Sequence, residues 1–125
     1  MEISLMIHIG FHQNIIQIYD WLECENYFVM MIEKPRNSID LFDYITNEVV
    51  LSETKAKSLM KQVLDAVDYC HLKGVVHRDI KDENFVIDKD TGVMKLIDFG
   101  GATWLDEEKI YKEYDGKFLK LSPKN

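Results

Sequence analysis

Two short segments of this chain carry side chains whose types and spacing fit one chemistry. The first is His77-Arg78-Asp79-Ile80-Lys81-Asp82-Glu83-Asn84 and the second is Leu96-Ile97-Asp98-Phe99-Gly100. They match the patterns H-R-D-x-x-x-x-N and D-F-G, in the order and at the hairpin-length separation that phosphoryl transfer uses. That reaction runs through a loose transition state, so a catalyst contributes mainly positioning and charge neutralisation. It calls for a carboxylate, a cation and hard oxygen ligands for Mg²⁺, and the two segments contain all three. Taken singly, each of these residues reads as an ordinary polar loop side chain. Both motifs in order, with a helix before them and two strands between, are hard to obtain by chance.

On these residues the chain resembles a protein kinase, and Lys81, two positions after Asp79, points to the serine/threonine branch. The resemblance implies ATP and Mg²⁺ as cofactors. It makes Asp79 the acceptor of the substrate hydroxyl proton, with Lys81 neutralising charge on the transferred phosphate and contacting the nucleotide. Asn84 completes the catalytic set and, with Asp98, holds the metal ions. The activity implied is that of a non-specific serine/threonine protein kinase.

The elements that must position these groups are legible along the chain. Glu2 to Ile9 reads as the end of an amphipathic helix. Ile15 to Leu22 and Tyr27 to Ile32 read as strands rich in β-branched and aromatic residues, joined at Glu23-Cys24-Glu25-Asn26. Pro35 breaks the chain, and Asp40 to Glu48 reads as a short helix. Ser52 is a candidate N-cap for a long helix whose Ala56, Leu59, Met60, Val63, Leu64 and Val67 recur at helical spacing, ended by Gly74. Val75-Val76 leads into the first motif. Phe85 to Ile87 and Val93 to Ile97 predict a hairpin around Asp88-Lys89-Asp90-Thr91-Gly92. There is no internal repeat and no low-complexity tract.

This order of elements is the middle of a kinase domain, and the resemblance narrows to the Pim family in the calcium/calmodulin-dependent kinase-like group. It is carried by Glu33-Lys34-Pro35, by Asp40-Leu41-Phe42-Asp43-Tyr44-Ile45, by Gln62 to Val67, by Val76 to Asn84 and by Tyr114-Asp115-Gly116. The similarity runs from Met1 to Gly116. It implies that Glu33 offers its backbone carbonyl to the adenine amine, while Pro35, having no N–H, removes one hinge donor. Ile32 becomes the gatekeeper, and Ile16, Val86 and Ile97 line the nucleotide pocket; the plainer reading of these apolar residues is core packing. Glu2 falls where the family pairs a helix glutamate with a lysine. Met6, Ile18, His77 and Phe99 match a stack that joins that helix to the catalytic loop. Asp40, Asp43, Asp82 and Glu83 fall where such kinases read basic residues upstream of the phosphoacceptor, as carboxylates suit arginine; on exposed helices they also read as solvated surface. The run Asp106-Glu107-Glu108 departs from the family and reads as a solvated loop.

Composition adds boundaries. The chain has 125 residues, a hydrophobic fraction of 46% and a net charge of −7. That charge disfavours nucleic acid as a partner and suits basic peptides. No segment approaches the ~20 apolar residues of a membrane span, and the N-terminus lacks a secretory pattern. Cys24 and Cys70 stand in no metal-ligand spacing and read as reduced thiols. A cytoplasmic protein, with the nucleus as a second location, is expected.

The expected fold class is α+β, a protein-kinase-like fold that is truncated. Residues 1–32 are read as an N-lobe remnant, 33–38 as the hinge, 39–116 as a partial C-lobe and 117–125 as a divergent tail. A Gly-rich loop over the phosphates and the N-lobe lysine of the family pattern are missing. The sequence therefore reads as incomplete, and the isolated chain is expected to be inactive. Three functions stand beside one another: a Pim-like kinase, monomeric as a full domain; a non-catalytic remnant or interaction module; and a small-molecule phosphotransferase, against which Arg78, Lys81 and the D-F-G segment speak.

Overall fold

The computed structural model describes residues 1–48 and 50–106. The expectations on Glu107, Glu108, Tyr114-Asp115-Gly116 and the tail 117–125 lie outside the described residues. Along the chain run α1 (Glu2–Ile9), β1 (Ile18–Glu23), β2 (Phe28–Ile32), β3 (Ser38–Asp40), α2 (Leu41–Asn47) and α3 (Glu53–Leu72). They are followed by β4 (Val75–Val76), a 3-10 turn (Asp82–Asn84), β5 (Phe85–Asp88), β6 (Met94–Leu96) and β7 (Thr103–Trp104). The strands form three small antiparallel sheets, ordered β1-β2, β3-β5-β6 and β4-β7. The fold is α+β, as the sequence implies.

Local chemistry explains most of the boundaries. Asp40 caps α2 by accepting the Asp43 N–H at 2.8 Å, so the helix starts one residue later than its expected Asp40. Ser52 caps α3 in the same way, accepting from the Lys55 N–H at 3.1 Å. At the far end Gly74 takes φ +76° and donates to the His71 carbonyl at 2.9 Å. That left-handed conformation favours glycine and stops the helix. The turn between β1 and β2 closes through the Cys24 N–H to the Tyr27 carbonyl at 2.8 Å.

The strand expected from Ile15 begins only at Ile18, because residues 14–16 are engaged elsewhere. Ile15 forms a parallel bridge to Leu96, the Ile16 N–H donates to the Leu96 carbonyl, and the Leu96 N–H donates to the Asn14 carbonyl at 2.8 Å. This connector thus lies along β6 and links α1 to the catalytic half of the molecule. Strands β3 and β7 and the 3-10 turn were not anticipated; each is short, and β3 and β7 exist through pairing with β5 and β4.

One core cluster unites these pieces: Leu5, Met6 and Ile9 of α1, Ile15 and Ile16 of the connector, Phe85, Ile87, Met94 and Leu96 of the hairpin, and Phe99. Helix α3 contributes Leu59, Ala66 and Cys70, with Val63 partly buried beside them. Met60 and Leu64, expected on that stripe, are exposed. The helix carries a wide apolar arc, and its main contacts with other elements among the described residues are to β4 and β6. Burial pushes the Cys70 thiol up to about 12, so it is an inert core thiol.

Candidate active site

The catalytic segment is built on a short sealed strand and a sealed hairpin. β4 buries Val75 and Val76, the chain turns outward, and the 3-10 turn brings Asn84 back under cover. Asn84 Nδ2 donates to the Asp79 carbonyl at 2.8 Å and to Asp79 Oδ2 at 3.0 Å. Lys81 Nζ lies 3.6 Å from the same Oδ2. The Ile97 N–H donates to the Asn84 carbonyl at 2.9 Å, which ties this cluster to the residue before Asp98. With its NH₂ committed to Asp79, Asn84 keeps Oδ1 as the oxygen a cation could use.

His77 locks the loop from beneath. Its Nδ1 accepts the Asp79 N–H at 3.2 Å and its Nε2 lies 2.8 Å from the Ile97 carbonyl. The two bonds together require the neutral ring with its proton on Nε2. Burial holds the His77 pKa below its ordinary 6.5, against the upward pull of the Ile97 carbonyl and of the Asp79 and Asp98 charges. The ring meets Phe99 edge-on, centroids 4.8 Å apart. Met6, Ile18, His77 and Phe99, the expected stack, are all buried, and Met6, Ile18 and Phe99 share the core cluster. Phe99 points inward.

Two residues of the site adopt left-handed backbone: Arg78 at φ +71° and Asp98 at φ +57°. Such conformations cost on the order of 1–3 kcal/mol at a non-glycine residue and cluster where function constrains the chain. Arg78 is held there by its Nε, which donates to the Gly101 carbonyl at 2.6 Å. Asp98 Oδ1 accepts from the Gly100 N–H, and a Cβ at Gly100 would stand 3.2 Å from that oxygen. A side chain at this position would make the Asp98 carboxylate give way by a few tenths of an ångström.

A cleft of about 700 Å³ opens beside this segment. Glu2, Ile16, Ile32, Glu33, Val86, Ile97 and Asp98 all line it, so seven sequence-selected residues from five stretches of chain meet on one cavity. Met30, Met31 and Pro35 line it too; the sequence reading singled out no role for the two methionines. Asp79, Lys81 and Asn84 stand outside this lining, on the segment next to it. The Glu2 carboxyl is raised above its ordinary 4.5, by burial first and by the Asp98 charge second. Among the described residues no lysine or arginine pairs with Glu2, in keeping with the absence of the family's lysine from the sequence. The four acidic residues split by element: Asp40 and Asp43 begin α2, Asp82 and Glu83 belong to the 3-10 turn, and α2 packs on that turn. Asp43 is raised by the neighbouring Asp40 charge, and Asp40 also serves as a helix cap.

The donor chemistry suits a hard divalent cation delivered with its ligand. Asp98 and Asn84 offer a carboxylate and an amide oxygen, and the Asp98 charge is felt by Glu2. Among the described residues no group of three or more His, Cys, Asp or Glu side chains closes round a metal. Mg²⁺ is commonly bound by one or two protein oxygens plus substrate phosphates, and Asn84 and Asp98 are the oxygen donors that could serve it here.

Comparison with known proteins agrees with the geometry. The protein kinase domain family matches residues 1–123. The serine/threonine-protein kinase pim-2 of Danio rerio is 44% identical over 106 residues, covering 84% of this chain and 34% of that protein. Serine/threonine-protein kinase prk-2 of Caenorhabditis elegans is 38% identical over 123 residues, covering 98% of the chain and 28% of that protein. The PAS domain-containing serine/threonine-protein kinase of Mus musculus is 37% identical over 123 residues, 98% of the chain and 9% of that protein. The chain belongs to the protein kinase domain family, and its relatives are serine/threonine kinases that include a Pim kinase. It spans about a third, or less, of the length of these relatives.

Proposed function

We propose that the cleft takes ATP with Mg²⁺ and that the protein transfers the γ-phosphate to serine or threonine of protein substrates. The observation that carries this reading is the continuity of two groupings. The cleft lined by Glu33, Ile32 and Asp98 abuts the Asp79–Lys81–Asn84 cluster through the Asn84–Ile97 hydrogen bond. The Glu33 carbonyl accepts the adenine amine, with Ile32 as gatekeeper and Ile16, Val86 and Ile97 against the ring. Asn84 and Asp98 hold Mg²⁺, which neutralises phosphate charge when bound. Asp79 receives the hydroxyl proton, and Lys81, beside it, faces the transferred phosphate. Asp40, Asp43, Asp82 and Glu83 present an acidic surface for basic residues upstream of the acceptor. The protein works as a monomer in the cytoplasm and the nucleus.

The test is γ-phosphate incorporation into an arginine-rich serine peptide by this segment joined to the Gly-rich loop and lysine of a Pim-like relative, with Asp79→Asn as the blank. Incorporation that depends on Asp79 supports the reading; wild type equal to the blank sinks it.

A further inference from the structure

Lys95 was given no role by the sequence motifs, yet it stands where three segments of the site meet. It lies on β6 opposite Val86, whose side chain lines the cleft. Its Nζ is 3.3 Å from Glu33 Oε1 and donates to the Gln13 carbonyl at 2.9 Å. The pair is enclosed: Lys95 and Glu33 side chains are 14% and 18% exposed, against 41% and 34% for the Lys55–Glu48 bridge. Glu33 is held further by the connector, since its Oε1 accepts the Gln17 N–H at 2.8 Å and its own N–H donates to the Gln17 carbonyl at 2.9 Å. The hinge residue is thus anchored by side chain and backbone at once, from β6 and from the connector. Lys95 itself is not among the residues lining the cleft.

An enclosed ion pair is a poor source of net stability, because desolvation offsets much of the attraction, but breaking it leaves a buried charge unpaired. Its effect here is geometric. It ties Glu33 to β6, whose Lys95 stands opposite the cleft-lining Val86. We propose that Lys95 is a positioning residue that sets the adenine slot through Glu33. This rests on the reading of the cleft as a nucleotide site and adds a determinant of affinity at its purine end.

The experiment measures binding of ATP·Mg²⁺, ADP and adenosine to the full protein by calorimetry, with kcat and KM where turnover is detectable. Lys95→Met removes the ammonium and keeps the stem, Glu33→Gln neutralises the partner and keeps its backbone carbonyl, and Lys95→Arg restores the charge. Each neutralising variant is expected to weaken all three ligands about tenfold, by the same factor, and Lys95→Met is expected to keep kcat at saturating ATP within about twofold. The double variant is expected to lose no more than either single one, because the two side chains act as one unit. Lys95→Arg recovers most of the affinity. Should Lys95→Met fail to fold, Glu33→Gln decides on the same readout. Unchanged binding in the variants, or a loss confined to ATP or shared with kcat, overturns the proposal. A wild-type protein that binds no adenine ligand defeats the nucleotide reading itself, and the positioning role with it.

Discussion

β1–β2 and β5–β6 are both antiparallel hairpins assembled from aliphatic and aromatic residues, yet they lead opposite lives. In β5–β6 the side chains of Phe85, Ile87, Met94 and Leu96 have at most 1% of their surface exposed. Helix α3 packs on β6, β3 pairs with the outer edge of β5, and the connector bridges to Leu96. In β1–β2 only Ile18 is buried, while Tyr19, Trp21, Leu22, Phe28, Val29 and Met31 are exposed. The difference lies in what surrounds the strands, since the residue alphabet is shared. A strand pair does not bury its own side chains; faces and edges must be covered by other elements. The Asp79–Lys81–Asn84 cluster adjoins the covered hairpin, whereas Ile32 and Glu33 come at the end of the open one. One wall of the cleft therefore rests on a buried hairpin, and the other ends at Glu33, which pairs with Lys95.

The largest expected effect tests that contrast directly. Phe85→Ala should cost about 3–5 kcal/mol of folding stability in urea denaturation, as a fully enclosed aromatic leaves a cavity. Phe28→Ala, on the open hairpin at 49% exposure, should stay within about 1 kcal/mol. Equal costs would mean that β1–β2 is covered in solution, and the comparison would collapse.

A smaller effect is expected at the polar clamp that closes the buried hairpin. Gln62 Oε1 accepts from Asn14 Nδ2 and from the Met94 N–H, while its Nε2 donates to the Gly92 carbonyl. Asn14 Nδ2 also donates to the Met94 carbonyl. Gln62→Leu leaves enclosed donors unpaired and should cost roughly 1–3 kcal/mol, with faster amide exchange at Met94. The counterpart on the open hairpin is Asp20→Ala, which removes an exposed bond to the Trp21 N–H. Water replaces that bond, so about 0.5 kcal/mol or less is expected. A large loss there together with none at Gln62 would reverse the ranking of the two regions.

Much of this was legible in the sequence because it depends on local chemistry. Ser52, Gly74, Pro35 and the alternation of Phe85 to Ile87 act on the chain within a turn or two of themselves. The two motifs carry their own spacing, so the gathering of Asn84 and Asp98 on neighbouring segments could be anticipated. What escaped depends on distant partners. Ile15 and Ile16 have the composition of a strand that continues into β1, but Leu96 takes their hydrogen bonds instead. Met60 and Leu64 fit the helical stripe as well as Leu59 does, and only the placement of β4 and β6 decides which are covered. Lys95 between two buried residues, and Gln62 beside Val63, were visible as polar breaks in apolar patterns; their targets were not. Asp40, expected inside its helix and as a substrate contact, instead caps that helix by accepting the Asp43 N–H.

The smallest expected effect concerns pH and belongs to the closed region alone. His77 has its pKa lowered by burial, and its neutral ring is needed because Nδ1 accepts the Asp79 N–H. In the unfolded chain the imidazole titrates at its ordinary 6.5. As pH falls through that value the unfolded state takes up a proton that the folded state resists, so stability decreases. The contribution is fully present above about pH 6.5 and is lost progressively toward the lower folded value. Glu2 acts in the opposite sense, since its raised pKa means the fold favours the protonated carboxyl, and that contribution fades as pH rises. The wild-type slope is therefore the difference of the two. His77→Gln removes the first and keeps a hydrogen-bonding side chain in its place. Urea denaturation from about pH 7.5 to about pH 5.5 should show the wild type losing stability faster than the variant on acidification. If the two lines are parallel, His77 is not held neutral by its surroundings, and the closure assigned to the catalytic region is weaker than its buried hairpin implies.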